Sequence, residues 1–198
     1  MIHFSIIIPS KNRLDLLQQC VASIQSFSRR ISPPIYEIIV VDTGDGQEAD
    51  WTTKQAIKAL RLEGGTFAKA CNEGVRHAKT HQIILLNNDV LLTGNLIQAF
   101  QRAALGHVRD YIVGARLLYP DGLVQHAGVG FDTDGGPYNL WRVAPAEHPE
   151  VMKRRFLPAV TFACALIPQH IWEELGGLDE NYINAYEDID FCLRSREA

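Results

Sequence analysis

The chain has 198 residues, of which 46% are hydrophobic and 21% charged, with a formal charge of −4 at neutral pH. That composition is globular and supplies one substantial core, so a single domain over 1–198 is expected. A pI near 6.0 gives no nucleic-acid-binding surface, and no apolar run approaches the roughly 20 residues needed to span a bilayer.

His3 to Ile8 is a short β-branched run stopped by Pro9, which predicts a buried strand. Leu14, Leu17, Val21 and Ile24 then recur at helical spacing, with Ser10 or Asn12 available as cap. Pro33-Pro34 breaks the chain before a second strand, Tyr36 to Asp42, that is apolar on both faces as parallel strands covered by helices are. Phe67, Cys71, Val75 and Ala78 mark the next helix, Ile83 to Leu86 a third strand, and Leu96, Phe100 and Ala103 a further helix. This alternation predicts an α/β fold with right-handed crossovers and a mainly parallel, doubly wound sheet.

Beyond Tyr111 the pattern changes. Tyr111 to Leu118 is strand-like, Tyr119-Pro120-Asp121-Gly122 signals a turn, and Leu123 onward can run back, so an antiparallel strand is expected in the second half. Asp132 to Glu150 has no clear period and is expected to be a long loop, a candidate lid. Leu157 to Ile167 is again apolar, Pro168 can open a short helix through Leu175, and Gly176-Gly177 can close it. Four widely spaced cysteines, Cys20, Cys71, Cys164 and Cys192, predict buried reduced thiols and a cytoplasmic location.

Polar residues concentrate where an open α/β sheet binds its ligand, at the carboxyl ends of the strands. Lys11, Asn12 and Arg13 follow strand one, where helix amides can face an anion; ordinary capping is the simpler explanation. Asp42 ends the second strand before Thr43-Gly44-Asp45-Gly46 and serves equally as a turn former or as an acceptor for a nucleobase or sugar hydroxyl. Asn87-Asn88-Asp89 offers three oxygen-bearing side chains, the kind that Mg²⁺ or Mn²⁺ takes, or else a plain strand-to-helix connection. Near the C-terminus, Gly176-Gly177-Leu178-Asp179-Glu180 and Glu187-Asp188-Ile189-Asp190 gather five carboxylates, in which Glu187-Asp188 can hold a general base or simply charge a helix start. Lys153-Arg154-Arg155 is read as a solvated face, and His126 as a structural hydrogen-bonding residue. No histidine pair has zinc-ligand spacing, and the P-loop and the dinucleotide fingerprint are both missing after strand one.

Taken in order, Ser5-Ile6-Ile7-Ile8-Pro9-Ser10-Lys11-Asn12-Arg13, Glu37 through Asp42, Gly65-x-Phe67-x-x-Ala70-x-Asn72-x-Gly74, Leu85-Leu86-Asn87-Asn88-Asp89 and the two acidic motifs resemble the family-two glycosyltransferases. The resemblance implies a GT-A fold, a nucleotide-diphosphate sugar donor, a divalent metal (Mg²⁺ or Mn²⁺) and transfer with inversion. By the same resemblance Pro9, Asn12, Arg13 and Asp42 are nucleotide-side contacts, and Asn72 and Gly74 belong to a donor-side helix motif. Asn87-Asn88-Asp89 stands for the family's D-x-D element with Asp89 as metal ligand, Asp188 is the base and Glu187 its acidic neighbour. Asn87 in place of the first Asp is similar to the rhamnosyltransferase and O-antigen subgroup.

The implied partners are the donor and a glycan or lipid-linked acceptor, with no nucleic acid and with peripheral contact to the cytosolic face of the inner membrane. Residues 1–110 would form the nucleotide-sugar-binding half and 111–198 the acceptor and catalytic half. Family members continue past the base motif, so a chain shortened at its C-terminus is expected. A nucleotide-sugar-binding module without turnover and, more remotely, a nucleotidyltransferase are the alternatives.

Overall fold

The structure is a computed structural model that describes residues 4–28, 36–104, 110–183 and 185–198. The expected start of strand one at His3 and the Pro33-Pro34 break lie outside the described residues. The first half runs β1 (Phe4–Ser10), α1 (Leu14–Ser28), β2 (Tyr36–Asp42), α2 (Gln47–Lys54), β3 (Lys58–Arg61), α3 (Phe67–Arg76), β4 (Gln82–Leu86) and α4 (Leu96–Ala104). The second half is more broken: β5 (Val113–Gly114), β6 (Leu117–Leu118), β7 (Val124–His126), β8 (Val129–Phe131), β9 (Pro137–Asn139), β10 (Cys164–Pro168), α5 (Gln169–Glu174) and α6 (Glu187–Glu197).

Six strands form one sheet in the order β3-β2-β1-β4-β10-β5. The β3-β2, β2-β1 and β1-β4 pairs are parallel, whereas β10 runs antiparallel to both β4 and β5. The strand period of two sorts the core into two layers. Ile7, Ile39, Val41, Ile83 and Leu85 face α3, α5 and α6, and Ile6, Ile8, Val40, Ile84 and Leu86 face α1 and α4. Gly74 lets α3 lie close on β1, because a Cβ there would stand 2.3 Å from Ile7 Cγ2. This is the expected α/β fold with a mixed, mostly parallel sheet.

Several local expectations need correction. Neither Ser10 nor Asn12 caps α1. The Ser10 hydroxyl bonds to Glu48 and Asn88, and Asn12 Oδ1 accepts from the Asp45 amide. The strand expected over Tyr111 to Leu118 divides at Ala115-Arg116 into β5, which joins the main sheet, and β6, which pairs with β7 outside it. The segment expected as an unbroken loop from Asp132 contains β9, paired with β8 through a turn in which Asp132 Oδ1 accepts from the Asp134 and Gly136 amides. Pro168 ends β10 and precedes α5, and Gly176 and Gly177 follow that helix with φ of 73° and 83°.

Candidate active site

At the carboxyl ends of β1 and β2 the polar side chains are bonded to one another. Asp42 is fully buried: Oδ1 accepts from the Gly44 amide (2.8 Å) and from Arg61 Nη1 (3.3 Å), and Oδ2 accepts from the Ala49 amide (3.0 Å). Glu48, also fully buried, accepts at Oε1 from the Arg13 amide (2.6 Å) and the Ser10 hydroxyl (3.3 Å). Asn88 Nδ2 donates to Ser10 Oγ at 2.9 Å, so the loops after β1, β2 and β4 are tied through one serine. Asn12 sits at φ 53°, its amide oxygen held by the Asp45 N–H, and the Arg13 guanidinium forms an exposed pair with Asp15. Pro9 is partly buried at the end of β1.

The resemblance assigns Asn72 and Gly74 of α3 to a donor-side helix motif, and in the structure both make contacts within the protein. Asn72 Nδ2 donates to Leu178 O and Glu180 Oε1, and its Oδ1 accepts from Leu178 N, all at 2.9 Å. Gly74 faces Ile7. Both amide atoms of Asn72 are therefore engaged with the Gly-Gly-Leu loop, and these two residues hold α3 to that loop and to β1. Arg194 of α6 grips the same loop from the other side, donating to Leu175 O (2.9 Å) and Gly177 O (3.0 Å) while pairing with Asp190 (2.8 Å).

The five carboxylates of the C-terminal motifs consequently separate. Asp179 accepts from the Asn181 amide and side chain, Glu180 meets Asn72, and Asp190 meets Arg194. Glu187 and Asp188 alone of the five line a cavity of about 410 Å³, with Phe67 of α3, Asn87 after β4, the β8–β9 hairpin and residues 161–163 as its other walls. Asp188 is fixed by two amides, Ile189 N to Oδ1 (2.8 Å) and Phe162 N to Oδ2 (3.1 Å). A carboxylate has about four lone-pair positions, so two remain for a ligand.

Burial, reinforced by the charge of Asp188, pushes Glu187 above the usual carboxylate range. Glu187 Oε2 and Asn87 Oδ1, on two residues that line the cavity, are buried without a hydrogen-bond partner, as is Glu48 Oε2 beside β1. Leading into α6, Ala185 and Tyr186 both have positive φ, 84° and 72°, a costly conformation for residues with a Cβ.

Asp89 is exposed at the end of the Asn-Asn-Asp triplet. Among the described residues no group of three or more His, Cys, Asp or Glu side chains is gathered as a metal site. Asp89 offers one exposed carboxylate, the kind of oxygen that suits a hard divalent ion drawing most of its ligands from a diphosphate and water.

His126 is structural. Thr161 N–H donates to Nε2 (3.1 Å), which leaves the proton on Nδ1 to donate to Asn139 Oδ1 (2.7 Å), and burial lowers its pKa. It thus pins two cavity walls to each other. In the basic triplet, Lys153 and Arg155 pair with Glu150, and Arg155 also stacks on Trp141 at 4.3 Å. All four cysteines are buried and unpaired; burial pushes Cys20, Cys164 and Cys192 up to about 12, and Cys71 well above its usual value. No helix among the described residues is long and apolar enough to cross a membrane.

Sequence reasoning missed Glu48, Asn139, Thr161 and Tyr138. Glu48 lies in a polar stretch with no apolar period to mark it as helix, and the other three reach the cavity from segments with no motif of their own.

The chain is 31% identical over 98% of its length to an uncharacterized protein, y4gI, of Sinorhizobium fredii, and 29% identical over 96% to the O-antigen biosynthesis protein RfbC of Myxococcus xanthus. It spans only 22% and 16% of those two relatives. Among solved structures, the mannosyltransferase PcManGT of Pyrobaculum calidifontis, in complex with GDP-Man and Mn²⁺, superposes with a TM-score of 0.67 at 16% identity, over 96% of this chain and 50% of that one. At that identity the likeness speaks for the fold. Residues 5–175 match the family described as Glycosyl transferase family 2. Because that match runs from β1 through α5, across the whole sheet that carries the cavity, the chain belongs to glycosyl transferase family 2.

Proposed function

We propose that the chain carries out an inverting transfer of a sugar from a nucleotide-diphosphate sugar, of the dTDP-rhamnose or UDP-sugar kind, to a glycan or lipid-linked acceptor in polysaccharide biosynthesis. The observation that carries this reading is the Asp188 carboxylate, anchored by two backbone amides in a cavity that Asn87, at the end of β4, also lines. In this reading residues 1–110 hold the nucleotide and residues 111–198 receive the acceptor, consistent with a cavity built mostly from the second half.

Asp188 accepts the proton of an acceptor hydroxyl. That oxygen forms a bond to the anomeric carbon from the face opposite the diphosphate, and the bond from that carbon to the diphosphate oxygen breaks. Glu187, buried and raised above the usual carboxylate range by that burial, is the acidic neighbour of the base. Asp89 and Asn87 would hold Mg²⁺ or Mn²⁺, which supplies positive charge against the departing diphosphate. Asn12, Arg13 and Asp42 shape the nucleotide side, Asp42 by fixing the loop after β2 rather than by offering a free oxygen. The O-antigen role named for the Myxococcus relative and the sugar nucleotide and Mn²⁺ of the Pyrobaculum structure support the same class of substrate and ion. Four buried free thiols support a reducing cytoplasm as the compartment of this reading.

Calorimetric titration of dTDP, UDP and GDP, with and without Mn²⁺, tests the donor site. Metal-dependent binding of one nucleotide, lost in Asp89→Ala, is the expected result; absence of binding for all three, in either condition, overturns the reading.

A further inference from the structure

Two aromatic side chains stand at the cavity that no motif assigns. Tyr138 of β9 and Tyr186, immediately before α6, both line it and remain 51% and 56% exposed. An exposed tyrosine ring is ordinarily a loose surface feature, yet here one ring packs on the neighbouring strand and the other leaves a strained backbone. Tyr138 lies against Gly130 on the paired strand so closely that a Cβ at Gly130 would stand 2.9 Å from the ring carbon bearing the hydroxyl. Tyr186 is held at φ 72° next to Ala185 at φ 84°, two consecutive left-handed residues with side chains, directly before the Glu187-Asp188 pair. Strain of this kind persists where surrounding structure enforces it and collects at ligand sites. Rigid tyrosines offer broad amphipathic contact at little entropic cost.

The polar lining is equally selective. Asn87, Asn139, Thr161, Glu187 and Asp188 line the cavity, and among the described residues no Lys or Arg does. A phosphate or other anion beside Asp188 would meet two acidic side chains with no basic side chain of the lining to balance it. A pyranose ring fits instead: its C–H face lies on an aromatic ring, and its hydroxyl edge meets amides and carboxyls. At about 410 Å³ the space is within the usual range of about 300–1,000 Å³ for small-ligand sites.

We propose that Tyr138 and Tyr186 form an aromatic acceptor subsite that takes a neutral saccharide ring and presents one of its hydroxyls to Asp188, so that the attacking group is a sugar hydroxyl and not a polyprenyl phosphate. The assignment to the acceptor rests on the proposed glycosyl transfer, in which the group beside the base is the nucleophile.

The test is saturation-transfer NMR on the whole chain with methyl α-L-rhamnopyranoside, methyl α-D-mannopyranoside and methyl β-D-galactopyranoside, with farnesyl phosphate as competitor. At least one glycoside is expected to receive saturation on its C–H face. That signal should be lost, or its Kd raised about tenfold, in Tyr138→Ala and Tyr186→Ala, and kept in the Tyr→Phe variants. Farnesyl phosphate should not displace the glycoside. Unchanged melting temperatures separate lost stacking from lost folding. A signal that survives in both alanine variants, displacement by farnesyl phosphate, or no signal with any glycoside overturns the subsite. Nucleotide titration of the unmodified chain tells the two failures apart: nucleotide binding without glycoside binding removes the subsite alone, whereas absence of both removes the transferase reading with it.

Discussion

The two ends of the binding edge are built on opposite rules. Around β1 and β2, Asp42, Ser10, Asn12 and Asn88 spend polar atoms on neighbouring loops, and although Glu48 Oε2 is buried there without a partner, this end resembles a set of nearly finished joints. Around the cavity, Asn87 Oδ1 and Glu187 Oε2 are buried with no partner, and the turn before Glu187 is strained. Bonded carboxylates and amides give shape, while unbonded ones give reactivity. Asp42, buried and taking three donors, is better at holding a loop than at meeting a ligand, and Asp188, with a single amide on each oxygen, keeps lone pairs for meeting one.

This contrast can be broken most sharply at the base. Asp188→Asn is expected to lower transfer by about 10²–10⁴-fold in a radiolabelled-sugar assay while nucleotide binding persists, because the amide cannot take the proton. Full activity would remove Asp188 from the mechanism. The next largest effects fall on stability. Asn72→Ala should cost about 1–3 kcal/mol in urea denaturation, since it strands both backbone groups of Leu178. Gly74→Ala should cost about 1–3 kcal/mol by overpacking against Ile7. If instead either variant lost nucleotide binding at full stability, α3 would rejoin the ligand-facing end.

The smallest effect is a slope. The folded-state pKa of Glu187 is raised, so between its unfolded and folded values the native state binds more protons than the unfolded chain. Its contribution is therefore complete below the unfolded value near 4.5 and is lost as pH rises through the folded one. Glu187→Gln should flatten that part of the stability–pH curve and leave the chain slightly more stable at neutral pH; an unaltered slope would mean that the carboxyl is hydrated.

What the sequence made legible follows from burial. Strands covered on both faces, such as Ile38 to Val41 and Ile83 to Leu86, must be apolar throughout, and their polar ends then stand out as punctuation. Asp188 and Asn87 were found in that way, and both line the cavity. The α2–β3 unit was invisible because its helix, Gln47-Glu48-Ala49-Asp50-Trp51-Thr52-Thr53-Lys54, buries Glu48 and Thr52 instead of an apolar stripe, and its strand is a half-buried edge. The roles of Asn72 and of the Gly-Gly-Leu motif were legible as positions but not as contacts, because they depend on an encounter 106 residues away in the chain. His126, Asn139 and Thr161 meet in the same unforeseeable manner.

The place of β10 has a consequence for how such a chain can diversify. The backbone leaves the sheet just after β5 and returns at β10, its neighbour, with the Ala115 amide bonded to Cys164 O at 2.9 Å. Everything from 116 to 163, including the β8–β9 wall of the cavity, is thus an excursion whose two feet stand side by side. Loop closure depends only weakly on length, so the exposed turns of this stretch can be lengthened or shortened without shifting the register of β4 against β10. Phe162, whose amide holds Asp188, belongs with the floor, and the outer part of the excursion is a replaceable cartridge set over it.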